Sequence, residues 1–223
     1  MKRYCLYLFI LIGISCSAEL KAQRNGTVYK GNDPAVRYTG RTLVSSDGSV
    51  AFDWVGTYLE TRFTGGRLSV KVSETGTSYY NVFVDGKLHK VVKVCGTDTL
   101  IHLVSGIDKR IHSLKIQKRS EGEFGKTTIH QFVLSGSGRL AEEPAVRTRH
   151  IEFIGNSLTC GYGTDGKHRD EPFLVETENC NLTFASMVAR YYDADYTLIA
   201  HSGRGAARNY GCLLYTSPSP RDA

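Results

Sequence analysis

The sequence has no run of lysines and arginines interleaved with aromatics, no apolar stretch long enough to span a bilayer, and no histidines at metal-ligand spacing. The first absence removes a groove that could track phosphates, so nucleic acid is not an expected partner. The formal charge of +6 includes +2 from Lys2, Arg3, Lys21 and Glu19 near the N-terminus, and the remaining +4 is dispersed. A solvated basic surface accounts for that remainder. The second absence leaves the apolar stretch from Leu6 to Ile14 too short for a transmembrane segment. Met1-Lys2-Arg3 precedes it and Leu20-Lys21-Ala22 follows, which together read as a secretory signal peptide over residues 1–22. The expectation is a secreted or periplasmic protein. Lipid attachment at Cys16 is the rival, but Gly13-Ile14-Ser15-Cys16 lacks a leucine three positions before the cysteine. As for the third absence, His89, His102, His112 and His130 lie far apart and read as surface or hydrogen-bonded side chains.

Cysteine is also sparse. Cys5 and Cys16 belong to the leader, so Cys95, Cys160 and Cys180 remain in the body of the chain. A Cys160–Cys180 disulfide is a candidate in an oxidising compartment. The odd count then leaves Cys95 unpaired, as a small buried apolar residue. Apolar content of 41% with 22% charged residues is ordinary for a globular protein, so disorder is not expected.

What is present begins with alternation. Leu68, Val70 and Val72 are separated by Ser69 and Lys71, the period-two signal of a half-buried strand. Val82 and Val84 precede Asp85-Gly86, with Leu88, Val91 and Val92 beyond, which predicts a hairpin with a two-residue type I′ turn. Further strands are expected over Leu100–Val104, Ile111–Gln117 and Thr127–Leu134, with glycines punctuating at short intervals. Many short strands without an amphipathic helix argue for a β-sandwich of jelly-roll type over residues 30–140. Trp54, Tyr58, Tyr79 and Tyr80 offer a sugar-stacking platform, but core and rim packing is the reading that strands favour. A polar linker over 141–149 follows.

The second domain, residues 150–211, opens with the β-type run His150-Ile151-Glu152-Phe153-Ile154 and leads into Gly155-Asn156-Ser157-Leu158-Thr159-Cys160-Gly161-Tyr162-Gly163. A strand ending in a small residue and then a serine delivers a hydroxyl to the carboxyl edge of a sheet, where α/β folds bind ligands. A helix is expected over Leu182–Tyr192, with Phe184, Met187, Val188 and Tyr191 on one face. The final stretch, 212–223, includes Ser217-Pro218-Ser219-Pro220 and follows neither helix nor strand logic. It looks like the translation of a transposase adapter and is excluded from fold reasoning.

The block Ile154–Gly163 resembles the first block of the SGNH (GDSL-type) hydrolases, and more narrowly the family-two carbohydrate esterases, often called acetylxylan esterases. The resemblance continues through Thr177–Cys180, Ala185–Arg190, Leu198–Gly205 and Arg208–Gly211. It implies an N-terminal jelly roll followed by the start of a three-layer α/β SGNH domain. It also implies a secreted enzyme that deacetylates plant-type polysaccharide through an acyl-serine, with acetylated polysaccharide or oligosaccharide as its partner and no metal or organic cofactor. By the same resemblance Ser157 is the nucleophile, and Gly205 supplies an oxyanion-binding backbone N–H, with Gly203 as the fallback. Two departures stand out: Asn156 occupies the family's usual Asp position, and the late Asp-x-x-His block that provides the base is absent. His168 and His201 do not occupy the base position. The expectation is therefore an inactive fragment of an esterase. The alternatives are a non-catalytic carbohydrate-binding protein and an SGNH enzyme of another substrate class.

Overall fold

The computed structural model describes residues 26–142 and 144–211; the leader with Cys16 and the tail from 212 lie outside the described residues. The first part is built of strands β1 (Thr27–Lys30), β2 (Val36–Thr39), β3 (Leu43–Val44), β4 (Val50–Phe52), β5 (Tyr58–Glu74), β6 (Thr77–Val84), β7 (Lys87–Cys95), β8 (Thr99–Lys118), β9 (Thr127–Ser135) and β10 (Arg139–Leu140). They pair antiparallel in the order β3-β4-β9-β5-β8-β6-β7, with β1 on β9 and with β2 and β10 on β5. β5 and β8 run beside each other for most of their length, and the pairing slips between Thr64 and Ser69. Before the slip β5 pairs with β2 and β10, and after it with β9. Bulges of this kind bend a strand and raise its twist, which lets one ribbon serve both layers of a sandwich. Gly66 makes the bend possible: its φ is +83°, and a Cβ there would stand 2.3 Å from Ser135 O.

The alternating residues meet between the layers. Leu68, Val70 and Val72 from β5 are buried with Val82 of β6, Leu114 and Ile116 of β8, and Ile129, Phe132 and Leu134 of β9. The Asp85-Gly86 turn has positive φ at both residues, and Val84 pairs directly with Lys87 across it, as a two-residue primed turn requires. Tyr58 and Tyr80 are core residues, as the packing reading held. Cys95 is not: β7 is an edge strand, and alternation that turns Val94 inward leaves Cys95 exposed.

The second part contains β11 (His150–Gly155), a one-turn helix α1 (Ser157–Cys160), 3₁₀ turns at Val175–Thr177 and Cys180–Leu182, helix α2 (Phe184–Tyr191) and β12 (Asp195–Ala200). β11 and β12 form a parallel pair, Ile151 opposite Tyr196 and Phe153 opposite Leu198. The helix is shorter than its periodicity suggests, because the chain at 180–182 closes into a 3₁₀ turn before Thr183 caps it. Its large apolar residues Phe184, Met187, Val188 and Tyr191 share a face as expected, but that face is exposed and the small side chains Ala185, Ser186 and Ala189 are the buried ones. The core of this part is completed by the sandwich: Val55 and Tyr58 pack with Cys160, Cys180, Ala185, Ala189, Tyr196, Leu198 and Ala200. A strand-helix-strand unit of this size does not bury enough surface by itself, and here the sandwich supplies the missing wall.

Polar groups also cross between the two parts. Asp195 at the start of β12 accepts from Arg37 Nη1 at 2.6 Å, Tyr58 Oη at 2.7 Å and Arg147 Nη1 at 2.8 Å. Arg37 also pairs with Glu60, so two guanidinium groups face two carboxylates. Burial alone would raise the Asp195 pKa, but the hydrogen bonds from Arg37, Tyr58 and Arg147 outweigh it and hold the carboxyl well below its usual range. Lys115 Nζ lies 3.7 Å from the Tyr58 ring centroid and 5.2 Å from that of Tyr196, and burial lowers its pKa to about 8.

Candidate active site

β11 ends at Gly155, and the chain turns sharply at Asn156 (φ −126°, ψ −150°) into α1. Asn156 is the N-cap: its Oδ1 accepts the Leu158 N–H at 3.1 Å, while its carbonyl accepts from Thr159 and Cys160. Asn performs this capping as Asp would, so the departure from the usual residue leaves the turn intact. Ser157 is the first residue of the turn, and its N–H has no intrahelical acceptor. Gly161 ends the turn in the left-handed region (φ +85°), donating to Ser157 O at 2.9 Å and accepting from Asn179 N at 2.9 Å. A Cβ at Gly161 would lie 2.4 Å from Asn179 O, so only glycine lets the two segments touch.

β12 ends at Ala200, beside the end of β11, and sends the loop His201–Gly211 over the same sheet edge. Ser157 therefore shares a cavity of about 810 Å³ with Asn156, Tyr162, Ser202–Gly205 and Arg208–Gly211. All three glycine and serine positions named from the sequence, Ser157, Gly203 and Gly205, line it. Gly203 adopts φ +76° and accepts from Tyr210 N at 2.8 Å; Gly205 N–H donates to Asn209 Oδ1 at 3.3 Å. A side-chain amide oxygen of the same loop thus takes the Gly205 N–H in this structure.

Among the described residues no side chain hydrogen-bonds to Ser157 Oγ. His201 Nδ1 donates to Ser202 O at 2.8 Å and lies 3.6 Å from Glu121 Oε2, while its Nε2 is 3.8 Å from Glu123 Oε2. His168 lines a second cavity of about 340 Å³ with Tyr162 and Phe173, whose rings stack at 3.6 Å. Cys160 and Cys180 are both buried thiols rather than a disulfide in this structure. Burial raises both pKa values, that of Cys180 to about 12, so neither is a ready nucleophile.

One group at this edge had no signal in the sequence. Glu121 follows β8 in the sandwich, and its carboxylate accepts the Ser202 N–H at 2.6 Å and also the Ser202 hydroxyl. Its own N–H donates to Glu178 Oε2 at 2.8 Å. Glu178 lies within the 177–180 segment already noted, but nothing local ties it to a glutamate so far away in the chain.

A family model described as carbohydrate esterase 2 N-terminal matches residues 38–144. The chain carries the N-terminal domain of carbohydrate esterase family two. Relatives match a longer stretch of the chain. The cellulase/esterase CelE of Acetivibrio thermocellus is 34% identical over 180 residues, covering 81% of this chain and 22% of that protein. An acetylxylan esterase/glucomannan deacetylase of Cellvibrio japonicus is 28% identical over 180 residues, covering 80% of this chain and 50% of that protein. A family-two carbohydrate esterase from Clostridium thermocellum, solved in complex with cellohexaose, superposes with a TM-score of 0.76 at 34% identity. The match covers 80% of this chain and 55% of that one, so the chain spans about half the length of that family-two structure. The jelly-roll architecture expected from patterning is the architecture of the family-two domain.

Proposed function

We propose that the protein to which these residues belong is an exported serine ester hydrolase that removes acetyl groups from plant-type polysaccharide. The observation that carries this reading is the meeting of Ser157 with the Gly203–Gly205 loop in one cavity. The Ser157 hydroxyl attacks the acetyl carbonyl carbon and gives its proton to a base. The backbone N–H groups of Ser157 and Gly205 receive the oxyanion, Gly205 exchanging Asn209 Oδ1 for it. Collapse expels the sugar hydroxyl and leaves an acetyl-serine that water then cleaves. The base in this reading is a group other than His168 and His201, because neither lines the cavity of Ser157 or hydrogen-bonds to its hydroxyl. Relatives named as acetylxylan esterases support the substrate class, and the apolar N-terminal leader supports export.

The test is acetate release from acetylated xylan by this chain, and by the gene product read from source DNA across the codon for Gly211. The reading expects turnover only where the frame continues into a base-bearing block, with Ser157→Ala lowering it by on the order of 10³-fold or more. A continued frame with no acetate release, but with retention on a cellooligosaccharide column, favours sugar binding without catalysis. That second reading has one observation of its own: Tyr162 and Tyr210 line the cavity and are 48% and 94% exposed.

A further inference from the structure

The most unusual chemistry outside the serine itself is the buried contact between Glu121 and Glu178. One oxygen of each carboxyl and the Cys160 Sγ all lie within 4.8 Å of one another, and all three residues are almost fully buried. Two carboxylates so close and so dry cannot both be ionised. Their hydrogen bonds decide which one carries the charge. Both Glu121 oxygens receive donors from Ser202, the backbone N–H on Oε2 and the hydroxyl on Oε1. Glu178 receives only the Glu121 N–H on Oε2, and its Oε1 has no donor facing it. Donors stabilise the charged form, so the buried carboxyl with fewer of them is the one that keeps its proton.

We propose that Glu121 is a positioning residue for the Ser202–Gly205 loop, acting as the ionised neighbour of a protonated Glu178. The role assigned to the loop rests on the esterase reading above. The sandwich thereby holds, through one carboxylate, the segment that carries Gly203 and Gly205. The neighbouring charges fit this assignment. His201 and Glu123 flank Glu121 on the solvent side, and Arg119, whose Nε donates to Glu178 O at 2.7 Å, Lys118, Cys160 and Cys180 surround the pair from the interior. Burial and then the contact with Glu121 push the Glu178 pKa up to about 9. A glutamate whose folded pKa is raised contributes stability that is fully present below its unfolded value of 4.5 and is lost as pH rises through about 9.

The experiment needs no ester turnover, so it stands apart from the test of the esterase reading. Arg204 and Arg208 are exposed on the loop, and trypsin cleavage after each, followed by mass spectrometry on the full chain, reports how firmly the loop is held. Glu178→Gln keeps a neutral hydrogen-bonding side chain, so its cleavage rate should match the unsubstituted chain. Its thermal midpoint should lose the decline between the ordinary glutamate range and about pH 9. Glu121→Gln puts an amide N–H against a Ser202 donor and should speed cleavage at least about fivefold, on the scale of a lost charged hydrogen bond. Should Glu121→Gln fail to fold, Ser202→Ala removes one bond from the loop side and should speed cleavage in the same direction. Unchanged cleavage in these loop variants overturns the proposal, as does a Glu178→Gln chain with the unsubstituted pH profile. So does a cadmium–thiolate absorption band that Cys160→Ser abolishes, because the three side chains would then hold a cation instead of a proton.

Discussion

Asn156 and His112 show how much a single side chain does locally. Asn156 Oδ1 satisfies one of the N–H groups that the first helical turn leaves without a partner. Asn156→Ala should therefore cost about 1 kcal/mol in urea denaturation, while Asn156→Asp should leave stability within about 0.5 kcal/mol. If Asn156→Ala is as stable as the original, the cap contributes nothing. His112 is held between Asp85 Oδ2 at 2.7 Å and Asp108 Oδ1 at 3.0 Å, and these hydrogen bonds, Asp85 first, raise its pKa. Stability from this imidazolium is fully present below the unfolded histidine value and falls as pH rises through the raised one. A thermal melt series from pH 5 to 9 should therefore be flatter for His112→Gln than for the unsubstituted chain.

At the scale of elements, α2 separates amphipathic pattern from burial. The sequence places Phe184, Met187, Val188 and Tyr191 on one face, but the buried face is made by Ala185, Ser186 and Ala189, of which Ala185 and Ala189 join the core that β12 shares with Val55 and Tyr58. Small residues let the helix approach the β12 side closely, with Ser186 Oγ donating to Cys180 O at 2.7 Å. Ala189→Leu should cost about 1–3 kcal/mol by overpacking, whereas Met187→Lys should change the chain's stability by no more than about 0.5 kcal/mol. Equal losses in the two variants, read from denaturant midpoints, would mean that the exposed face is in fact packed. Periodicity finds that a helix has two faces; which of them faces the neighbour depends on an element far away in the chain. The strands were more legible, because each side of a β-ribbon reports its burial through strict alternation, as Leu68, Val70 and Val72 do. Cys95 escaped that reading because an edge strand has fewer neighbours to cover it.

For the whole molecule, the contact between the two parts is a folding unit as well as a scaffold. Val55 and Tyr58 complete the core around β12, and Asp195 gathers Arg37, Arg147 and Tyr58 beneath it. Calorimetry should show one cooperative transition across both parts rather than two. Asp195→Ala leaves the buried Arg37 guanidinium facing Glu60 alone, while Arg147 keeps Glu60 and Asp193, and it should cost about 3–5 kcal/mol, the range for breaking a buried pair from one side. The depressed Asp195 pKa adds a direction: its contribution is present above the usual aspartate value and is lost as pH falls through the lower folded one. Comparing Asp195→Asn with the unsubstituted chain in acid should show a smaller loss of stability on acidification for the variant. Two separate melting transitions would mean that the sandwich and the serine-bearing segment fold independently.

The sequence alone determined the hairpins, the jelly roll and the strand-to-serine turn, because each follows from residues close together in the chain. Alternation reports burial, Asp-Gly demands positive φ at both turn residues, and a short β-type run ending in a small residue leads straight into Ser157. Tertiary structure alone decided that Ser157 and Gly205 share a cavity, that α2 buries its small residues, and that Glu121 reaches Ser202 from the end of β8. The Glu121–Ser202 contact joins positions 81 residues apart, and the energies of such contacts depend on which groups lose water together when the parts close, a quantity that no local pattern carries.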